Sequence, residues 1–171
     1  LNVFYKNPDD YRRSYITTLY DAVLILPWVA TIDAFQHWIY THTSHTREGR
    51  RRAWLEIHER FEGCYSTFGV ADWTELDEPR AYLWHRQLHL YTSPFYYIEY
   101  GIAQIGALQV WVQSRRNHRE AVERYWQALA LGGSRPLPEL FEAAGAKFRF
   151  DEQSVKPLME TVAEELERLE N

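Results

Sequence analysis

The stretch HLYTSPFYYIEYGIAQIGALQVW, His89 to Trp111, decides how this chain reads. Ser93 is a good N-cap residue and Pro94 suits the first helical position, so the spacing predicts a helix from about Ser93 to Ser114. At 3.6 residues per turn, Phe95, Ile98, Ile102 and Ile105 share one face, and Tyr97, Tyr100 and Gln104 share another, with Tyr96 pointing away from them. His89 lies on the incoming segment. The residues allow two readings. The tyrosines are core aromatics whose hydroxyls find backbone partners, or two phenols and an imidazole converge on a polar ligand, as donors to developing negative charge or as acids. Spacing leaves both open.

Outward from this stretch, helix signals are plentiful and strand signals few. Asn7-Pro8-Asp9-Asp10 combines a capping residue, a proline at the first position and two acids in the first turn, where the helix dipole favours them. A helix should run from there to about Leu26. Pro27 lacks an N–H and should kink or divide it, after which Trp28, Ile32, Phe35 and Ile39 resume a one-face pattern. Another long helix carries Ala53, Trp54, Ile57 and Phe61. Gly69 to Pro79 is acidic and punctuated, and reads as a loop. Asn117 with Glu120 forms a capping-box-like start, and Gly132-Gly133 supplies the stop. Pro138 opens a short helix closed by Gly145. The last helix aligns Val155, Leu158, Met159, Val162, Leu166 and Leu169. No repeat or flexible linker interrupts this order. The expectation is an all-α fold, a single compact multi-helix domain over residues 1–171 with roughly six or seven helices.

Composition narrows the function classes. Aromatic residues make up 16% of the 171, with seven tryptophans and twelve tyrosines. That surplus fills a large core or forms a surface meant to be covered, and in the second case the isolated chain should self-associate. A formal net charge of −5 argues against nucleic acid as a partner, because phosphate binding needs a basic stripe. The cluster of Arg47, Arg50, Arg51 and Arg52 reads as a solvated helix face. Cys64 stands alone, so an internal disulfide is excluded and a reducing compartment is expected. The apolar run Ala22 to Ile32 is interrupted by Pro27 and too short to span a bilayer, and no signal peptide precedes it. A soluble, cytoplasmic protein with no membrane partner is expected.

His85 and His89 are four apart, the spacing that sets two imidazoles on one helical face for a metal. Arg86, Gln87 and Leu88 lie between them, without the glutamate of the zinc-protease motif, so a His-based metal-binding bundle is an alternative rather than the leading reading. His42 and His45 fall in a polar turn and read as solvated. Glu99 sits among apolar neighbours, with Arg86 as its candidate ion-pair partner. Asp33 and Gln36 lie on the polar side of their helix and suit hydrogen bonding better than catalysis. No paired carboxylates, phosphate loop or nucleophile-and-base arrangement stands out.

Three separated blocks carry a family likeness: WHRQLHLYTSPFYYIEYGIAQIGALQVW (Trp84 to Trp111), IDAFQHWIY (Ile32 to Tyr40) and ALALGGSRPLPELFEAAGAKFRF (Ala128 to Phe150). In one register, from about Ile16 onward, the chain resembles the C-terminal part of oligoendopeptidase F, in the thimet oligopeptidase superfamily of zinc peptidases. The resemblance implies the C-terminal helical part of a zincin-type oligopeptidase that hydrolyses short peptides. It also implies that Tyr97 and Tyr100 are the paired tyrosines aimed at the tetrahedral oxyanion, with His89 just before them. Tyr96 replaces Tyr97 if the register shifts by one, and His89, Tyr96, Tyr97 and Tyr100 together bind substrate. The family holds zinc with an H-E-x-x-H helix and a glutamate from a following helix, and no H-E-x-x-H occurs here. Zinc, its ligands and the general base are therefore expected upstream, in a missing N-terminal part of the same polypeptide, and no metal ligands are assigned to this chain, which is expected to be inactive alone. Thimet-type relatives carry a glycine-containing loop between histidine and tyrosines, whereas Leu90 to Phe95 has no glycine, so loop-based substrate closure does not carry over. A stand-alone, non-catalytic binding or regulatory helical domain is the competing class.

Overall fold

The computed structural model describes residues 3–67 and 75–171, the side chains of residues 62–67 and 77 excepted. The described residues are helical, with no strand among them: α1 (Pro8–Thr41), α2 (Arg47–Thr67), α3 (Asp77–Arg80), a 3-10 turn (Leu83–Arg86), α4 (His89–Thr92), α5 (Ile98–Arg116), α6 (His118–Ala130), α7 (Leu137–Ala143) and α8 (Glu152–Glu170). The all-α expectation holds, and the one-turn helices α3 and α4 account for the elements beyond those expected. Residues 69–74 of the predicted loop lie outside the described residues, as does the side chain of Cys64.

Several starts follow the local chemistry. The Asn7 side chain accepts the Asp9 N–H at 2.9 Å, Thr46 Oγ1 accepts the Gly49 N–H at 3.0 Å, and Asn117 Oδ1 accepts the Glu120 N–H at 3.3 Å, each satisfying a first-turn donor that has no partner inside the helix. Pro27 does not divide α1. The helix runs through it uninterrupted, and Thr31 Oγ1 donates to the Pro27 carbonyl at 2.8 Å. Unbroken, α1 is long and apolar enough to cross a bilayer by length and composition, which corrects the expectation of a run too short to do so.

Two compact units are present, Leu1–Ala22 with Ile102–Asn171, and Val23–Gly101. In the first, α8 buries Leu158, Val162, Leu166 and Leu169 as its stripe predicts, and Leu19, Leu108 and Ala121 are buried too. Asp151 caps α8 by accepting the Ser154 N–H at 3.0 Å. A side-chain amide fastens the approach to α8: Gln109 donates to the Lys147 carbonyl at 3.0 Å and accepts the Lys147 N–H at 2.8 Å. Glu165 is the one carboxylate buried here among the described residues, 2% exposed. Arg168 grips it with two bonds of 2.7 and 2.8 Å, and Arg115 pairs with its Oε1. An apolar cavity of about 460 Å³ lies between α5, α6 and α7, with Gly106, Tyr125, Leu137 and Phe141 in its wall. On α6, Val122, Tyr125, Trp126 and Leu129 are exposed, Trp126 by 73%.

The second unit packs Val29, Ile32 and Phe35 of α1 against Trp54 of α2 and Tyr97. Phe35 meets Trp54 edge-on at 5.0 Å and Trp84 at 5.4 Å. Trp54 is itself anchored, its indole N–H donating to the Arg80 carbonyl at 2.8 Å. His58 is buried beside Trp54 and Trp28, with centroids 5.5 and 6.4 Å away.

Two pH dependences follow. The Arg168 and Arg115 bonds hold the Glu165 carboxyl down to about 2 against an ordinary 4.5, so its contribution is complete above pH 4.5 and is lost as the pH falls toward 2. Glu165→Gln should cost about 2 kcal/mol at neutral pH, less than a fully buried pair would, because both arginines reach solvent, and urea melts of this variant should lose that acid limb. Burial first, then the charges of Arg80 and Arg86, push His58 down to about 4 from 6.5. Because His58 must stay neutral to remain buried, stability should fall as the pH drops from 6.5 to 4, by on the order of 3 kcal/mol. Tryptophan-fluorescence melts of His58→Leu should lack this dependence. An unchanged dependence would contradict the assignment.

Candidate functional site

The His89 cluster lies wholly within Val23–Gly101 and is assembled from short pieces. The 3-10 turn is closed by Gln87, whose N–H donates to the Trp84 carbonyl at 3.0 Å and whose own carbonyl accepts the Leu90 N–H at 3.1 Å, so this residue is pinned on both sides. One turn of helix, α4, then presents His89. The chain reverses through Ser93–Tyr97 before α5 begins at Ile98.

This reversal corrects the predicted helix start. Ser93 terminates α4 rather than capping α5, and Phe95 adopts a left-handed backbone, φ 60°, which breaks any helix through Pro94. For an aromatic residue this conformation is costly. Three residues of α1 hold it. The buried Gln36, 1% exposed, accepts the Phe95 N–H at 2.9 Å through Oε1. The Phe95 ring lies 4.9 Å from His37 and 5.0 Å from Tyr40. Gln36 thus has the hydrogen-bonding role expected of it, but from the core and not from a polar face. Asp33 lies 3.5 Å from His37.

The turn also redistributes the tyrosines. Tyr97 precedes the helix and is buried, 9% exposed, whereas Tyr96 and Tyr100 are 45% and 40% exposed. Ile98 and Phe95, expected on an apolar face, are exposed as well, while Gly101 is buried so closely that an added Cβ would lie 3.1 Å from Val29 Cγ1. Tyr96 does not point away: its ring is parallel to His89 at 6.1 Å, and those of Tyr97 and Tyr100 meet the same imidazole at 5.0 and 5.5 Å. His89 Nε2 is 3.2 Å from Tyr100 Oη, and Nδ1 is 3.3 Å from Gln87 Nε2. The structure therefore brings together all four residues singled out from the sequence, and adds Gln87 and Gln36. Gln87 carried no sequence signal beyond its adjacency to His89, and Gln36 was expected to form hydrogen bonds but not to serve this cluster, because an amide's partners are set by tertiary contact.

Other candidates separate. His85 belongs to the 3-10 turn and His89 to α4, so the pair shares no helical face, and His85 packs edge-on against Trp84 at 4.0 Å. Among the described residues no group of three or more His, Cys, Asp or Glu side chains could hold a metal ion. His42 and His45 are not merely solvated, since both rings lie against Trp38, at 4.6 and 5.5 Å. Glu99 is exposed, and Arg86 lies over the Trp28 ring at 4.7 Å in place of the expected ion pair. Of the arginine cluster, Arg47, Arg50 and Arg51 line a cavity of mixed character with Tyr82, Trp84 and His85.

If Gln36 fixes the turn, Gln36→Leu leaves the Phe95 N–H without its acceptor at a cost of about 1–3 kcal/mol. Amide exchange at Phe95 and Tyr96 should quicken at least tenfold in that variant and stay slow in Gln36→Glu, which keeps an acceptor oxygen. Equal protection in wild type and Gln36→Leu would remove the clamp.

The chain has clear relatives over most of its length. The pattern of Peptidase family M3 matches residues 6–163. An X-ray structure assigned as an oligoendopeptidase F is 31% identical and superposes with a TM-score of 0.82 over 93% of this chain and 27% of its own. PZ peptidase A, solved with an inhibitor, is 32% identical with a TM-score of 0.84 over 98% of this chain and 28% of its own. No curated protein matches. This chain thus spans little more than a quarter of either solved relative, and over nearly all of its own length it belongs to Peptidase family M3.

Proposed function

We propose that this chain is the C-terminal helical portion of a zinc metallopeptidase that hydrolyses short peptides, and that the His89 cluster supplies hydroxyl donors to the tetrahedral oxyanion. The observation that carries this reading is the gathering of three phenol rings around one imidazole, with Tyr100 Oη 3.2 Å from His89 Nε2. A core needs no such arrangement on its exposed edge, where two of the three rings lie. The described residues do not fit a zinc site, so in the longer polypeptide the metal ligands and the general base would come from elsewhere in the chain. The work of these residues is binding and charge stabilisation. Tyr100 donates, His89 holds its oxygen in position, and Tyr97 is the second donor of the family pattern, with Tyr96 as its substitute.

The exposed α6 face of Val122, Tyr125, Trp126 and Leu129 supports a larger parent, because a patch of this kind is normally covered. Left uncovered, it would make the isolated chain self-associate and, with no metal-holding group among the described residues, we expect the isolated chain to be inactive. We propose a soluble protein, a reading supported by the burial of Val29, Ile32, Phe35 and the polar Gln36 of α1, and a cytoplasmic location as part of the same proposal.

In the longer polypeptide, Tyr100→Phe and Tyr97→Phe should each lower kcat by about 10²–10³, with little change in KM, because the lost bond forms mainly in the transition state. Tyr96→Phe fixes the register: a loss there with normal kcat in Tyr97→Phe makes Tyr96 the second donor. Normal kcat in all three variants, with losses only in melting temperature, would mark the tyrosines as core aromatics.

A further inference from the structure

We propose that Gln87 is a positioning residue that selects the tautomer of His89 and thereby frees the Tyr100 hydroxyl proton for donation. The inference rests on the oxyanion reading of Tyr100 and adds to it a residue outside the family-like tyrosine pattern. A neutral imidazole has one N–H and one acceptor nitrogen. The Gln87 amide nitrogen faces Nδ1 at 3.3 Å, and an amide nitrogen can only donate, so Nδ1 is the acceptor. The proton then resides on Nε2, which donates to Tyr100 Oη at 3.2 Å.

This direction matters for the phenol. A tyrosine hydroxyl that receives an N–H bond keeps its own hydrogen available and is a better donor for receiving it, as chained hydrogen bonds polarise one another. The opposite tautomer would consume the phenol proton on Nε2 and leave Tyr100 facing a developing oxyanion with lone pairs. Gln87 can impose the choice because its backbone is bonded on both sides, to Trp84 and Leu90, so the side chain reaches His89 from a fixed point. The second nitrogen's partner setting the first one's proton is a general property of histidine sites.

The test has two arms. In this chain, labelled with 15N-histidine and held at a pH above imidazole titration, the His89 signals, identified by their loss in His89→Gln, should report the Nε2-protonated form. In Gln87→Glu the carboxylate accepts a proton on Nδ1, and the signals should move to the Nδ1-protonated form, whereas Gln87→Met should give a mixture. In the longer polypeptide, Gln87→Glu should lower kcat on the order of 10–100-fold, with no further loss when combined with Tyr100→Phe. An Nδ1-protonated His89 in the wild type, or a tautomer indifferent to both Gln87 substitutions, overturns the proposal even if Tyr100→Phe is impaired. Tautomers as expected with an unimpaired Gln87→Glu enzyme overturn its catalytic part, and an unimpaired Tyr100→Phe overturns the oxyanion reading beneath it.

Discussion

The hydrogen bond from the Phe95 N–H to the buried Gln36 side chain is the constraint on which the His89 cluster depends. Left-handed backbone at an aromatic residue costs on the order of 1–3 kcal/mol, and it persists here because α1 supplies both an acceptor for the N–H and two rings, His37 and Tyr40, for the side chain. Released, the segment would tend to continue as helix, as its Ser-Pro start encourages. The reversal between α4 and α5 that brings Tyr96, Tyr97 and Tyr100 back onto His89 would then be lost.

The elements that carry the cluster have little stability of their own. A four-residue helix and a 3-10 turn fall far below the length at which helices persist unaided, so α4 and Leu83–Arg86 are held by what they touch. Trp84 is the main contact, against Phe35 at 5.4 Å and Tyr91 at 5.9 Å. Trp54, bonded to the Arg80 carbonyl, fixes the chain entering that turn. A rigid aromatic core thus positions short, exposed pieces, and the abundance of tryptophan and tyrosine read from composition finds part of its use there. In Leu1–Ala22 with Ile102–Asn171, long amphipathic stripes suffice and the aromatic demand is smaller.

What the sequence made legible were features governed by neighbours in the chain. The caps at Asn7 and Asn117, the α8 stripe and the stops near Gly132 and Gly145 all answer to local rules, and the last two glycines have positive φ. Features governed by distant partners were not legible. Ser93-Pro94 suits a helix start and a turn equally, and only Gln36, far away in sequence, decides for the turn. Pro27 forfeits one bond without dividing α1. Glu165 sits beside Leu166 on α8, and its burial depends on Arg115 from another helix. For the candidate site, the identities of His89, Tyr96, Tyr97 and Tyr100 could be read from the sequence. Their relative exposure and the contributions of Gln36 and Gln87 could not.

The central claim is that the Tyr100 hydroxyl, supported by His89, binds charge that develops in a peptide-cleaving transition state. Its most direct test is the affinity of a tetrahedral phosphonate peptide analogue for the longer polypeptide, measured across wild type, Tyr100→Phe, His89→Gln and Gln87→Glu. If the cluster stabilises the transition state, log Ki should track log KM/kcat with a slope near one across these forms. Analogue affinity that stays constant while kcat/KM falls would contradict the account.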